Sequence, residues 1–303
     1  MTFLGLPAAA IADLAPDTAD AGILGIPHGV PYPDARLTAG CAAAPAAIRA
    51  RSARLAPFLG NHDFELDGPM LPPDGAFRVV DLGDVPGTPH DGPGNQRAAE
   101  AAVRAVLRAG TSPVILGGDD SIPIPVLRAF DDHGPLWVVQ VDAHLDFRHE
   151  VAGVREGYSS PMRRAAELPH VAGIVQVGLR GVGSARTSDV ADARAAGNLL
   201  ITAREVHDRG VAWLLAQVPE AASVFVAFDC DGLDPSIMPA VSGASPGGLS
   251  YDEAADLLAG LATRHRIAGA AFTELLPERD LNDLSALVVV RLVTRLLAAM
   301  SER

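Results

Sequence analysis

Leu136-Trp137-Val138-Val139-Gln140-Val141-Asp142-Ala143-His144-Leu145-Asp146 is a short apolar, β-branched run that ends abruptly in carboxylates and an imidazole. The run is strand-like, and a strand covered on both faces reads as nearly continuous apolar sequence. Working outward, runs of the same kind occur at Phe77 to Asp81, Pro113 to Leu116, Gly173 to Leu179, Leu199 to Thr202, Val224 to Phe228 and Ile267 to Phe272. Ala21 to Pro27 reads as a first strand. Between them lie stretches of helical period: Ala44 to Arg54, Asn95 to Ala109, Ser188 to Ala196, Arg204 to Gln217, Tyr251 to Ala262 and Asn282 to Met300. Strands alternating with helices give a mostly parallel sheet covered on both faces, an α/β fold. No repeat, low-complexity tract or linker interrupts the pattern, so residues 1–303 are expected to form one domain.

In an open parallel sheet, ligands bind outside the carboxyl ends of the strands. Those ends carry the acidic residues here: Gly117-Gly118-Asp119-Asp120-Ser121, then Asp142-Ala143-His144-Leu145-Asp146, then Asp229-Cys230-Asp231-Gly232-Leu233-Asp234-Pro235, and finally Thr273-Glu274. Alternate residues of an extended segment point the same way, so Asp142, His144 and Asp146 can converge, as can Asp229 and Asp231. Such a concentration of negative charge repels itself unless cations hold it together. Oxygen ligands with one imidazole suit Mn2+ or a similar divalent ion, and two clusters in one cleft suggest two ions about 3.5–4 Å apart.

Composition narrows the alternatives. All 24 basic residues are arginine, which removes lysine-dependent Schiff-base, pyridoxal phosphate and phosphate-loop mechanisms, and with them a phosphatase reading of Phe228 to Asp234. A net charge of −13 argues against nucleic acid and favours a small cationic ligand. Two cysteines, Cys41 and Cys230, are too few for a disulfide framework. With no basic residue before Arg36 and no uncharged apolar run near 18 residues, the chain is expected to be cytoplasmic, without a membrane partner.

The combination of Asp142-Ala143-His144-Leu145-Asp146 with Phe228 to Pro235 resembles the ureohydrolases, the family of arginase, agmatinase and related amidinohydrolases. The resemblance extends to Gly25-Ile26-Pro27, Asp81-Leu82-Gly83-Asp84, Gly178-Leu179-Arg180 and Glu274-Leu275-Leu276-Pro277. It implies a three-layer α/β/α sandwich with an arginase-like sheet, two Mn2+ ions (Ni2+ or another divalent ion as substitutes), and hydrolysis of a guanidino compound to urea and an amine. It also implies homo-oligomeric assembly as a trimer or hexamer. Carried over by position, Asp142 and Asp229 bridge both metals, Asp146 completes one, and His144 and Asp231 complete the other. Glu274 grips the guanidinium.

Two positions depart from the family pattern. The first motif is normally Gly-Gly-Asp-His-Ser, and Asp120 stands where its histidine ligand would be. Either Asp120 ligates, giving five carboxylates and one imidazole, or it caps the helix starting near Pro123. Second, relatives place a proton-transferring histidine where Tyr158 stands. Tyrosine, with a pKa near 10, is a poor base. Either Tyr158 orients substrate, or His149 or Glu150 transfers the proton. The candidate catalytic set is therefore Asp146, Glu274, Tyr158 and His149, and the metal set Asp120, Asp142, His144, Asp146, Asp229 and Asp231.

Gly181-Val182-Gly183 after Arg180 lacks the aspartate that arginases use for the α-amino group. Agmatine, guanidinobutyrate and guanidinopropionate are thus preferred to arginine, with Arg148, Arg155 or Arg163 as candidate partners for a substrate carboxylate. The competing readings are a non-catalytic metal-binding relative, favoured by Asp120 and Tyr158, and an amide hydrolase of the same general fold.

Overall fold

Valine and isoleucine supply most strand positions, because their branched side chains pack well on a pleated surface. A computed structural model of the chain describes every residue except 17, 34–37, 73–74 and 221. Among these described residues eight strands form: β1 (Ala21–Ile26), β2 (Val79–Asp84), β3 (Ser112–Gly117), β4 (Leu136–Val141), β5 (Val171–Leu179), β6 (Leu199–Thr202), β7 (Ser223–Asp229) and β8 (Arg266–Thr273). They make one sheet in the order β2-β1-β3-β8-β7-β4-β5-β6, and every neighbouring pair is parallel.

Among the described residues nine α-helices accompany them: α1 (Ala44–Ser52), α2 (Gly92–Arg108), α3 (Pro123–Arg128), α4 (Pro161–Ala166), α5 (Thr187–Ala195), α6 (Ala203–Arg209), α7 (Val211–Leu215), α8 (Tyr251–Arg264) and α9 (Leu284–Ser301). Alternate strand residues feed two separate cores. Val224, Val226 and Phe228 of β7 pack with α1 and α6 to α9, whereas Phe225 and Ala227 pack with α2 to α5. The result is a three-layer α/β/α sandwich. Because both faces of the sheet are covered, the strands show no polar alternation.

Three expectations needed adjustment. The segment from Arg204 to Gln217 is two helices, broken at Gly210, whose φ of 80° leaves the helical region. β2 starts two residues later than Phe77 and continues to Asp84, since its parallel partner β1 begins pairing at Ala21 with Val79. α4, opened by Pro161 at its first turn, is too short to show a helical period. The apolar C-terminal stretch is α9, whose buried face packs on α1 and α8 as part of the core.

Candidate metal centre and active site

The strand order explains why motifs far apart in sequence meet. β3, β8, β7 and β4 are consecutive neighbours, with Leu116 opposite Phe272, Phe272 opposite Phe228, and Phe228 opposite Val141. The residues just beyond these four positions are the four acidic motifs. Gly117 permits the close approach: a Cβ there would lie 2.7 Å from Thr273 Cγ2. At Gly118 it would lie 2.2 Å from the carbonyl oxygen of Pro27. Asp146 and Glu274 both adopt left-handed backbone, with φ of 45° and 67°, a conformation uncommon for non-glycine residues.

Two groups of ligand atoms result, each with its atoms within 4.8 Å of one another: Asp142, His144 and Asp231, and Asp120, Asp142, Asp146 and Asp229. The structure therefore brings together all six residues of the expected metal set. His144 Nδ1 stands 3.0 Å from Asp231 Oδ2 and 3.4 Å from Asp142 Oδ1. Glycines leave room for the ring: a Cβ on Gly183 would lie 2.4 Å from His144 Cδ2, and one on Gly243 would lie 2.6 Å from His144 Cε1. Backbone amides orient the carboxylates, Ala143 donating to Asp231 Oδ1 at 3.1 Å and Asp231 donating to Asp229 Oδ1 at 2.8 Å. Asp119 is not part of either group. It accepts the backbone N–H of Ser121 at 3.0 Å and shapes the turn.

The charge state of this cluster is far from ordinary. Burial and the nearby carboxylates push Asp120, Asp146 and Asp229 well above the usual carboxylate range, and Asp142 up to about 6. Hydrogen bonds to Asp142 and Asp231 raise His144 to about 11. Divalent cations reverse this by stabilising every carboxylate in its charged form. The donor set fits them. Asp120 Oδ1 accepts the Thr273 hydroxyl at 2.6 Å, while its Oδ2 is buried without a hydrogen-bond partner. A buried, unpaired carboxylate oxygen is costly unless a cation meets it.

The cavity over this cluster is lined by Asp120, His144, Asp146, Asp229, Asp231 and Glu274 together with Thr38, Tyr158, Ser159, Ser184, Ser242 and Gly243. Glu274 is buried in its wall. Its Oε1 accepts the Asp120 backbone N–H at 3.0 Å and its Oε2 accepts the Ser242 hydroxyl, while burial lifts it to about 8. Tyr158 is half-buried, packed against Tyr32 with ring centroids 4.4 Å apart, and burial raises its phenol to about 12. His149 and Glu150, by contrast, are exposed and do not line the cavity. Of the alternatives raised by the sequence, that Tyr158 orients substrate or that His149 or Glu150 transfers the proton, the structure places Tyr158 in the cavity wall and the other two outside it.

No arginine lines the cavity among the described residues. Arg148 reaches the Ser184 carbonyl at 2.7 Å, and Arg163 reaches the Phe147 carbonyl at 3.0 Å and pairs with Asp192. Several contributors left no motif in the sequence. Gln140 sits inside an apolar strand, Thr273 stands out in the sequence only as the residue before Glu274, and Ser242 and Gly243 lie in a glycine-rich loop whose only signal is its composition.

A parallel sheet with a carboxylate-rich binuclear site at its carboxyl edge defines a class of metal-dependent hydrolases. The chain belongs to the arginase family, whose pattern matches residues 19–299, and this family comprises binuclear divalent-metal hydrolases acting on amidino groups. It is 34% identical to guanidinopropionase of Pseudomonas aeruginosa over 77% of this chain and 74% of that protein. It is 29% identical to guanidinobutyrase of the same organism over 94% of this chain and 87% of that protein. The solved proclavaminate amidinohydrolase of Streptomyces clavuligerus superposes with a TM-score of 0.84 at 26% identity, covering 99% of this chain and 96% of that one.

Proposed function

We propose that this protein is a Mn2+-dependent amidinohydrolase that cleaves a small linear guanidino compound of the decarboxylated (agmatine) or deaminated (guanidinobutyrate, guanidinopropionate) type into urea and an amine. The observation that carries this reading is the placement of Glu274. Both of its oxygens are held by Asp120 N–H and Ser242 Oγ, and it borders the cavity above the metal-binding carboxylates.

Asp120, Asp142, His144, Asp146, Asp229 and Asp231 would hold the two ions, which when bound supply an activated water and charge stabilisation. Glu274 receives the guanidinium N–H groups as charge-assisted hydrogen bonds and fixes the carbon toward the cluster. Asp146, which lines the cavity, is the group assigned to hold a proton during turnover. Tyr158 walls the cavity; a phenol near 12 stays protonated at neutral pH and does not serve as a base. Thr38, Ser159 and Ser184 also line the cavity and would offer hydroxyls to a substrate tail. The similarity to guanidinopropionase and guanidinobutyrase supports a short guanidino acid as substrate.

Mn2+ is favoured by the predominance of carboxylate ligands. The unpaired, buried Cys41 and Cys230 support a cytoplasmic location, and homo-oligomeric assembly follows the resemblance. The test is urea release by Mn2+-loaded protein offered guanidinopropionate, guanidinobutyrate, agmatine and arginine. Turnover of one of the first three at a higher kcat/KM than arginine is expected. Absence of urea from all four, with two ions bound per chain, would overturn the proposal.

A further inference from the structure

The two halves of the centre differ in the atoms they offer. One half contains an imidazole, His144 Nδ1, beside Asp142 and Asp231. The other consists of Asp120, Asp142, Asp146 and Asp229, four carboxylates and no nitrogen. The difference lies in Asp120, and the structure shows how that side chain is fixed. Asp120 is 2% exposed, its Oδ1 receives the Thr273 hydroxyl at 2.6 Å, and its Oδ2 is left buried and unpaired.

Thr273 is itself 1% exposed, at the end of β8. Its methyl occupies the space that Gly117 leaves open, where a Cβ would come within 2.7 Å of Cγ2. With the methyl lodged there, the hydroxyl is directed to Asp120. The threonine thus settles which carboxylate oxygen is spoken for and which is free.

We infer that this chain holds a chemically unequal metal pair: an all-oxygen half at Asp120, Asp142, Asp146 and Asp229 that selects a hard ion such as Mn2+, and an imidazole half at His144 and Asp231 open to softer ions. Thr273 is the positioning residue of the all-oxygen half. The inference rests on the binuclear reading above and deepens it. Carboxylate sites suit Mg2+, Ca2+ and Mn2+, whereas an imidazole adds affinity for Zn2+ and Ni2+. Zinc therefore displaces manganese from the His144 half at lower concentration than from the Asp120 half.

The experiment is a zinc titration of Mn2+-loaded protein, with both metals counted per chain after removal of free ions. Two Mn2+ per chain at the start, then two displacement steps separated by about tenfold or more in zinc concentration, are expected. In Asp120→His the steps merge, because both halves then carry an imidazole. Thr273→Val, which keeps the shape and loses the hydroxyl, weakens Mn2+ retention at the harder half by about tenfold or more. Thr273→Ser restores retention, and in the Asp120→His background Thr273→Val has no further effect. A single displacement step in the unaltered protein overturns the inference, as does a step separation unchanged in Asp120→His. Fewer than two Mn2+ per chain before zinc is added overturns the binuclear reading itself.

Discussion

Gln140 donates its side-chain amide to Asp142 Oδ2 at 2.6 Å, so the carboxylate shared by both halves of the metal centre is held by a residue of β4 two positions before it. The arrangement continues across the neighbouring strands. Gln176 donates to Gln140 Oε1 at 2.6 Å and to the Leu145 carbonyl at 2.6 Å, and Asn198 donates to Gln176 Oε1 at 2.9 Å. All three amides are buried, where a polar group persists only if its partners are present. Gln140→Leu keeps the volume and removes the donor. The expected outcome is metal affinity reduced by about 10–100-fold, measured by chelator competition, with the secondary structure unchanged by circular dichroism.

Glu274 belongs to neither group of metal ligands, as Asp119 does not, but unlike Asp119 it lines the cavity. Its two oxygens are already oriented by Asp120 N–H and Ser242 Oγ, so its charge can be directed at a substrate cation. Glu274→Gln is expected to lower kcat/KM by about 100-fold or more while two ions remain bound per chain. Ser242→Ala frees one oxygen of that carboxylate to rotate, and its cost is about tenfold, mainly in KM. Loss of metal in Glu274→Gln would show that the residue serves the ions instead.

The strands and the acidic turns were legible because each depends on residues adjacent in sequence. Leu136 to Val141 shows its strand by composition, and Asp142, His144 and Asp146 show their convergence by spacing. What spacing does not carry is the side-chain environment at each strand end. Gln140 looks like one polar residue in an apolar strand until β5 places Gln176 opposite it. Thr273 is read as an ordinary β-branched residue until β8 lies beside β3 and its hydroxyl meets Asp120. His149, three residues beyond Asp146, is exposed and lies outside the cavity lining.

Arg180 follows β5 and reaches the loop that carries Asp231, where its guanidinium is committed to the backbone. It donates to the carbonyls of Gly178, Asp231, Gly232, Leu233 and Ser245, tying the end of β5 to the loop that carries Asp231. Burial lowers its pKa without supplying an ion-pair partner, as expected for a structural guanidinium. A lysine ammonium has three donors and no planar fork, so Arg180→Lys leaves carbonyls unpaired. The expected loss is about 2–4 kcal/mol by urea unfolding, together with weaker metal retention. Unchanged stability in Arg180→Lys would mean that the loop is held by other contacts.

Asp63 and Arg291 join the loop after α1 to the middle of α9. Arg291 Nη2 donates to Asp63 Oδ1 at 2.9 Å, and the same nitrogen lies 3.0 Å from Glu65 Oε2. The hydrogen bond from Arg291 holds the Asp63 carboxyl below its ordinary value. A carboxyl with a depressed folded pKa contributes stability above its unfolded pKa, near 3.9, and loses that contribution as pH falls through the lower folded value. Replacing Asp63 with Asn is therefore expected to cost about 1.5–3 kcal/mol at pH 7, where the charged hydrogen bonds are intact. The difference between the two proteins should shrink steadily below about pH 4. Urea unfolding of both across pH 3–7 measures it, and a gap that widens in acid would show that the pair is not what anchors α9 to this loop.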